Sequence, residues 1–107
     1  DGALSSIRML PGIVRAVGDR VEVHMDGGIR SGQDVLKAVA LGARSTYIGR
    51  AFLYGLGAMG QPGVTRALEV IHRELDISMA LCGVRDVHAL GRHNLLIPAD
   101  FEGDWVA

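Results

Sequence analysis

Cysteine is almost missing from this chain of 107 residues: Cys82 stands alone. That excludes an internal disulfide and fits a reducing compartment. No pair of histidines or cysteines has the spacing of a metal site, since His24, His72, His88 and His93 form no His-x-x-x-His and no Cys-x-x-Cys occurs. Aromatics are few, at 5%. Neither sign of charge dominates, because 11 basic residues face 12 acidic ones for a formal charge of −1. A near-neutral chain is not a strongly basic nucleic-acid binder, so no nucleic-acid partner is expected. The longest uncharged stretch, Ala51 to Thr65, is too short for a membrane span of roughly 20 residues and is interrupted by Gln61 and Pro62.

What is present suits a packed domain. Hydrophobic residues make up 49% of the chain, which excludes disorder through most of it. The expectation is one body over residues 1–98 and a looser tail over 99–107, with Trp105 as a contact residue. Glycine is abundant, 15 of 107 against a usual share of about 7%, and sits in turns between apolar segments.

The apolar spacing predicts a helix over Ala3 to Val17 that starts or restarts near Pro11, because an interior proline removes a backbone bond. Val21 to Met25 alternates as a strand. Ser31 begins a helix that Gly42 stops, with Asp34 as the reciprocal partner of a Ser31 cap. Ser45 to Ile48 is a second strand. Ala51 to Met59 and about Pro62 to Leu81 follow as helices, with Pro62 in a first turn and Gly83 at an end. Arg85 to Leu90 is a last short helix. Short strands alternating with helices imply α/β units with parallel strands. Two such strands do not make an independent sheet, so other strands are expected to pair with them.

Chemistry concentrates in Asp26-Gly27-Gly28-Ile29-Arg30-Ser31-Gly32, at the carboxyl end of a strand and ahead of a helix. Ligands of parallel α/β folds bind there. Adjacent glycines let backbone amides approach an anion, with the helix start behind them. Arg30 suits a phosphate and Asp26 a hydroxyl. The plain alternative is a tight turn with Asp26 capping local amides and Arg30 in solvent. Gly49-Arg50 repeats the pattern at the end of the next strand. Together Gly28, Arg30, Gly49 and Arg50 can hold one phosphate from two sides.

Other residues are assigned structural roles. His24 is expected to be packed or hydrogen bonded in its strand and His72 to lie on a helix surface. Cys82 is read as a small buried or half-buried residue, and Met25, Met59 and Met79 as core. Glu69, Glu74 and Asp76 are read as a solvated helix face. No convincing acid, base or nucleophile emerges, so no catalytic residue is assigned within the chain.

The ordered segments Asp26 to Gly32, Asp34-Val35-Leu36-Lys37-Ala38, Ala40-Leu41-Gly42-Ala43 and Ile48-Gly49-Arg50 resemble the FMN-dependent α-hydroxy acid oxidase and dehydrogenase family. The likeness covers roughly Asp1 to Leu90. Gly49 to Gly55, Glu74-Leu75-Asp76 and Met79 to Gly83 look most like its L-lactate dehydrogenase branch. The resemblance implies the C-terminal part of a (β/α)8 TIM barrel, strands 7 and 8 with their helices, completed by sequence outside this chain. It implies FMN as cofactor. Asp26 would face the ribityl chain, and Gly27, Gly28, Ile29, Arg30, Gly49 and Arg50 would lie about the phosphate. The implied reaction oxidises an L-2-hydroxy acid to the 2-oxo acid, with hydride equivalents passing to FMN.

In that family a histidine takes the proton and an arginine holds the substrate carboxylate. Both belong to a His-Gly-Gly-Arg-Gln-Leu-Asp-Gly type segment, of which Asp1-Gly2 matches only the end. This chain alone is therefore expected to be inactive. Its expected partners are the remaining part of the barrel, in the same protein or a separate chain, a small 2-hydroxy acid and further copies, a tetramer being the family's habit. The expected location is cytoplasmic, with peripheral membrane association left open. Two alternatives remain: a non-catalytic phosphate- or flavin-binding module that assembles with itself or a partner, and another barrel enzyme with a terminal phosphate site.

Overall fold

The computed structural model describes residues 2–103. Asp1 and Trp105 lie outside the described residues. Helix α1 spans Ser6–Val17, strand β1 His24–Met25, helix α2 Gly32–Ala40, strand β2 Ser45–Thr46, helix α3 Arg50–Met59 and helix α4 Gln61–Leu81. Two short 3-10 turns follow at Val87–Ala89 and Arg92–Asn94.

The strands are parallel, with His24 opposite Ser45 and Met25 opposite Thr46. They are shorter than the alternation predicts. A ladder extends only as far as both chains face each other, and here it reaches one residue further on either side. The Arg44 amide donates to the Val23 carbonyl (2.7 Å) and the Tyr47 amide to Met25 (2.9 Å).

Helix α1 also departs from expectation. It runs through Pro11 without a break. The missing donor costs one bond to the preceding turn, yet Leu10 and Pro11 are the two buried residues of this helix, and packing holds the turn together. The core joins Leu10 to Met25, Ile29, Ala38, Leu41 and Ala43, with Ile7, Val14 and Val23 against it. One face of β1 and the inner faces of α1 and α2 therefore share one apolar layer.

Helices α3 and α4, joined through Gly60, form a packed hairpin. Gly55 and Gly63 let them touch, since a Cβ on either would run into the other's backbone. Helix α4 also packs against α2, and the rest of the hairpin is open. Leu53, Tyr54, Met59 and Leu68 are all at least half exposed. Met59 is therefore not core, Met79 is half-buried and only Met25 is fully buried. Cys82 is exposed at the end of α4, where no neighbouring layer covers it.

The segment expected to be loose from about Ala99 is docked over residues 99–103. Arg8 Nη1 donates to the carbonyls of Asp100 (2.9 Å) and Phe101 (3.2 Å), and its guanidinium lies 5.3 Å from the centre of the Phe101 ring. Glu102 bridges Arg15 on α1 (2.8 Å) and Arg92 (2.6 Å). These hydrogen bonds, led by that from Arg15, hold its carboxyl below the ordinary carboxylate range.

Candidate functional site

The turn after β1 reverses the chain through Gly27 (φ 92°) and Gly28 (φ 76°). Residues with a Cβ rarely adopt these angles, which is why the turn needs glycine twice. Ile29 then drops its side chain into the core at 4% exposure. It reaches the site only through its backbone, because an apolar side chain gains more from that layer than from solvent. Arg30 stays exposed at the rim.

Next comes a capping box. Ser31 Oγ accepts from the Asp34 amide (3.2 Å), and Asp34 Oδ2 accepts from the amides of Ser31 (3.1 Å) and Arg30 (3.0 Å). The following amide, that of buried Gly32, donates to Glu74 Oε2 at 2.8 Å from α4. Glu74 is thus no part of a solvated face; its half-buried carboxylate closes the start of α2. Its neighbours on the sequence do remain outside, with Glu69 paired to Arg66 at 3.6 Å on the surface of α4.

The turn after β2 is built differently. Gly49 precedes α3 with no side-chain cap, and the first turn of α3 has no acidic residue. The first amides of any helix lack intrahelical partners and carry the positive end of its dipole. At α3 they remain available, with Arg50 beside them.

Both turns open into one cleft of about 770 Å³. Asp26, Gly27, Gly28, Ile29, Arg30, Gly49 and Arg50 all line it, so the structure brings the seven sequence-identified residues together. It adds Tyr47, Tyr54 and Arg66. Tyr47 was detectable, because strand alternation puts it on the same side as Asp26, two residues beyond the His24–Ser45 pair and one beyond Met25–Thr46. Tyr54 and Arg66 had no local signal, since they arrive through the folding back of α4 on α3.

The donor set fits a phosphate monoester joined to a polyol. The guanidinium groups of Arg30 and Arg50, two of the three arginines lining the cleft, and the bare start of α3 suit the phosphate, the double-glycine turn permits close approach, and Asp26 offers acceptors to hydroxyls. Arginines alone would also suit other anions. Asp26 in the same cleft is suited to a ligand that carries hydroxyls beside its anionic part.

Residues 1–97 match the family described as FMN-dependent dehydrogenase, which indicates FMN as cofactor. The chain is 56% identical over 90 residues to an L-lactate dehydrogenase of Caulobacter vibrioides, covering 84% of this chain and 24% of that protein. It is 50% identical over 104 residues to a pre-mycofactocin synthase of Mycobacterium tuberculosis, covering 97% and 26%. In three dimensions it is similar to a soluble mutant of the membrane-associated (S)-mandelate dehydrogenase from Pseudomonas putida, with a TM-score of 0.85, 38% identity, and coverage of 90% of this chain and 27% of that one. The chain thus spans about a quarter of the length of these relatives and matches a fragment of the mandelate dehydrogenase fold.

Proposed function

The chain belongs to the FMN-dependent dehydrogenase family, and from that premise we propose that it is the C-terminal, phosphate-binding part of a flavoenzyme that oxidises an L-2-hydroxy acid, L-lactate first among the candidates, to the 2-oxo acid. The single observation that carries the reading is the cleft in which two glycine-arginine turns from neighbouring parallel strands face each other. In this reading the strands are the seventh and eighth of a (β/α)8 barrel. The exposed apolar side chains of α3 and α4 then form a surface for the rest of the protein, in this chain's own continuation or in a partner.

Arg50 and the amides opening α3 would hold the phosphate of FMN from one side, and Arg30 with the Gly27-Gly28 turn from the other. Asp26 would accept hydrogen bonds from the ribityl hydroxyls. FMN supplies the hydride acceptor when bound. The described residues bind and orient; the proton acceptor and the carboxylate-holding arginine belong to the proposed preceding sequence. L-Lactate is favoured by the 56% identity to an L-lactate dehydrogenase. No helix among the described residues is long and apolar enough to cross a membrane, and the likeness to a membrane-associated relative supports peripheral association as a further proposal.

The test is direct. The complete protein, purified and supplied with FMN, should bleach its visible flavin absorption on anaerobic addition of L-lactate, and less readily with glycolate or (S)-mandelate. Bound flavin that none of the three acids reduces would overturn the proposed reaction. Failure to bind FMN would overturn the cleft's assignment.

A further inference from the structure

The sheet has two unlike faces. Val23 and Met25 turn toward the helices and pack in or against the core. Glu22, His24 and Asp26 have the opposite parity, and the register sets Ser45 and Tyr47 beside them. Along that face His24 Nδ1 lies 2.5 Å from Ser45 Oγ and 3.4 Å from the Tyr47 hydroxyl. Its Nε2 lies 3.3 Å from Glu22 Oε2, and the other Glu22 oxygen is 3.7 Å from Arg44 Nε. The His24 and Tyr47 rings stack, with centroids 5.8 Å apart and planes 25° from parallel.

A carboxylate at Nε2 favours the tautomer with its proton there, which leaves the Nδ1 lone pair to accept from a hydroxyl. Ser45 is the nearer hydroxyl, and Tyr47 meets the imidazole through its ring face as well as its hydroxyl. Tyr47 lines the cleft and His24 does not. Tyr47 is 59% exposed on this part of the protein, and a cleft-wall ring already held by a neighbour spares ligand binding the entropic cost of ordering it.

We infer that His24 is a positioning residue for the cofactor cleft: anchored by Glu22 and Ser45, it stacks on Tyr47 and fixes that phenol in the cleft wall beside Asp26. The inference rests on the flavin reading above. It assigns to a strand histidine the task of preorganising one wall.

The experiment is a double-mutant cycle on the complete apoprotein, with FMN affinity read by quenching of flavin fluorescence and the visible spectrum of the bound flavin recorded alongside. His24→Ala should weaken FMN binding about fivefold and shift the flavin band, while in a Tyr47→Leu background it should change neither. His24→Phe, which keeps a flat ring against Tyr47, should recover most of the loss. Should His24→Ala not fold, His24→Leu serves the same cycle. An unchanged affinity and spectrum in His24→Ala, or an equal effect in both backgrounds, would overturn the inference while leaving the flavin assignment intact. A wild-type protein that does not bind FMN would overturn both.

Discussion

The turns that open α2 and α3 carry the same two residue types, glycine and arginine, at the same end of parallel strands. Their helix starts nevertheless differ in what they offer a ligand. At α2 the amides of Arg30, Ser31 and Gly32 are occupied by the carboxylates of Asp34 and Glu74. At α3 no side chain caps the first turn and no acid lies in it. A helix start is an anion site only when the protein has not already filled it with an anion of its own. The α2 turn therefore contributes glycine backbone and the Arg30 side chain to the cleft, whereas α3 contributes its helix start as well.

Substitutions can break this asymmetry. Arg50→Ala in the complete protein should weaken FMN binding most, by about 1.5–3 kcal/mol, or roughly 10- to 150-fold in affinity, because the phosphate loses a charge-assisted donor. Arg30→Ala should cost less, since the phosphate is placed at the start of α3, beside Arg50, and Arg30 reaches it only from the opposite turn of the cleft. Fluorescence titration with FMN measures both, and an equal or reversed ranking would contradict the asymmetry.

Glu74→Ala removes the acceptor of the buried Gly32 amide and should lower stability by about 1–2 kcal/mol in urea unfolding. It should also make stability respond to added sulfate, as the start of α2 becomes an anion site like that of α3. Ser31→Ala should cost about 1 kcal/mol in the same assay through loss of the cap, with FMN affinity nearly unchanged.

Glu102 provides a control far from the cleft. Its carboxyl is held low by Arg15 and then Arg92. The stabilisation is complete above the ordinary carboxylate range and is lost as pH falls through the depressed value. Glu102→Gln should flatten the acid limb of the stability–pH curve and leave FMN binding alone. His72→Ala, exposed on α4, should stay within about 0.5 kcal/mol of wild type in stability, with flavin content unaltered.

The asymmetry also marks where sequence reading stops. The parallel strand order, the Ser31–Asp34 box and the convergence of Asp26, Gly28, Arg30, Gly49 and Arg50 all follow from local periodicity and turn chemistry. These are short-range signals, and the structure carries each of them. The role of Glu74 was not legible. It lies 42 residues beyond Gly32 in sequence, and its neighbours Arg73 and Asp76 give it the look of a solvated face. Only the approach of α4 to the start of α2 turns it inward. Pro11 failed as a break for a related reason, because local propensity was outweighed by burial against the core. The docking of Phe101 onto Arg8 spans more than 90 residues and left no local trace.

In the proposed complex the phosphate lies at the start of α3, and the start of α2 is reserved for the protein's own carboxylates. A crystal structure of the complete protein grown with FMN tests it most directly. Phosphate oxygens are expected within hydrogen-bond distance of the Arg50 or Ala51 amide, with Glu74 still on the Gly32 amide. Phosphate seated on the Ser31 and Gly32 amides, with Glu74 displaced, would contradict it.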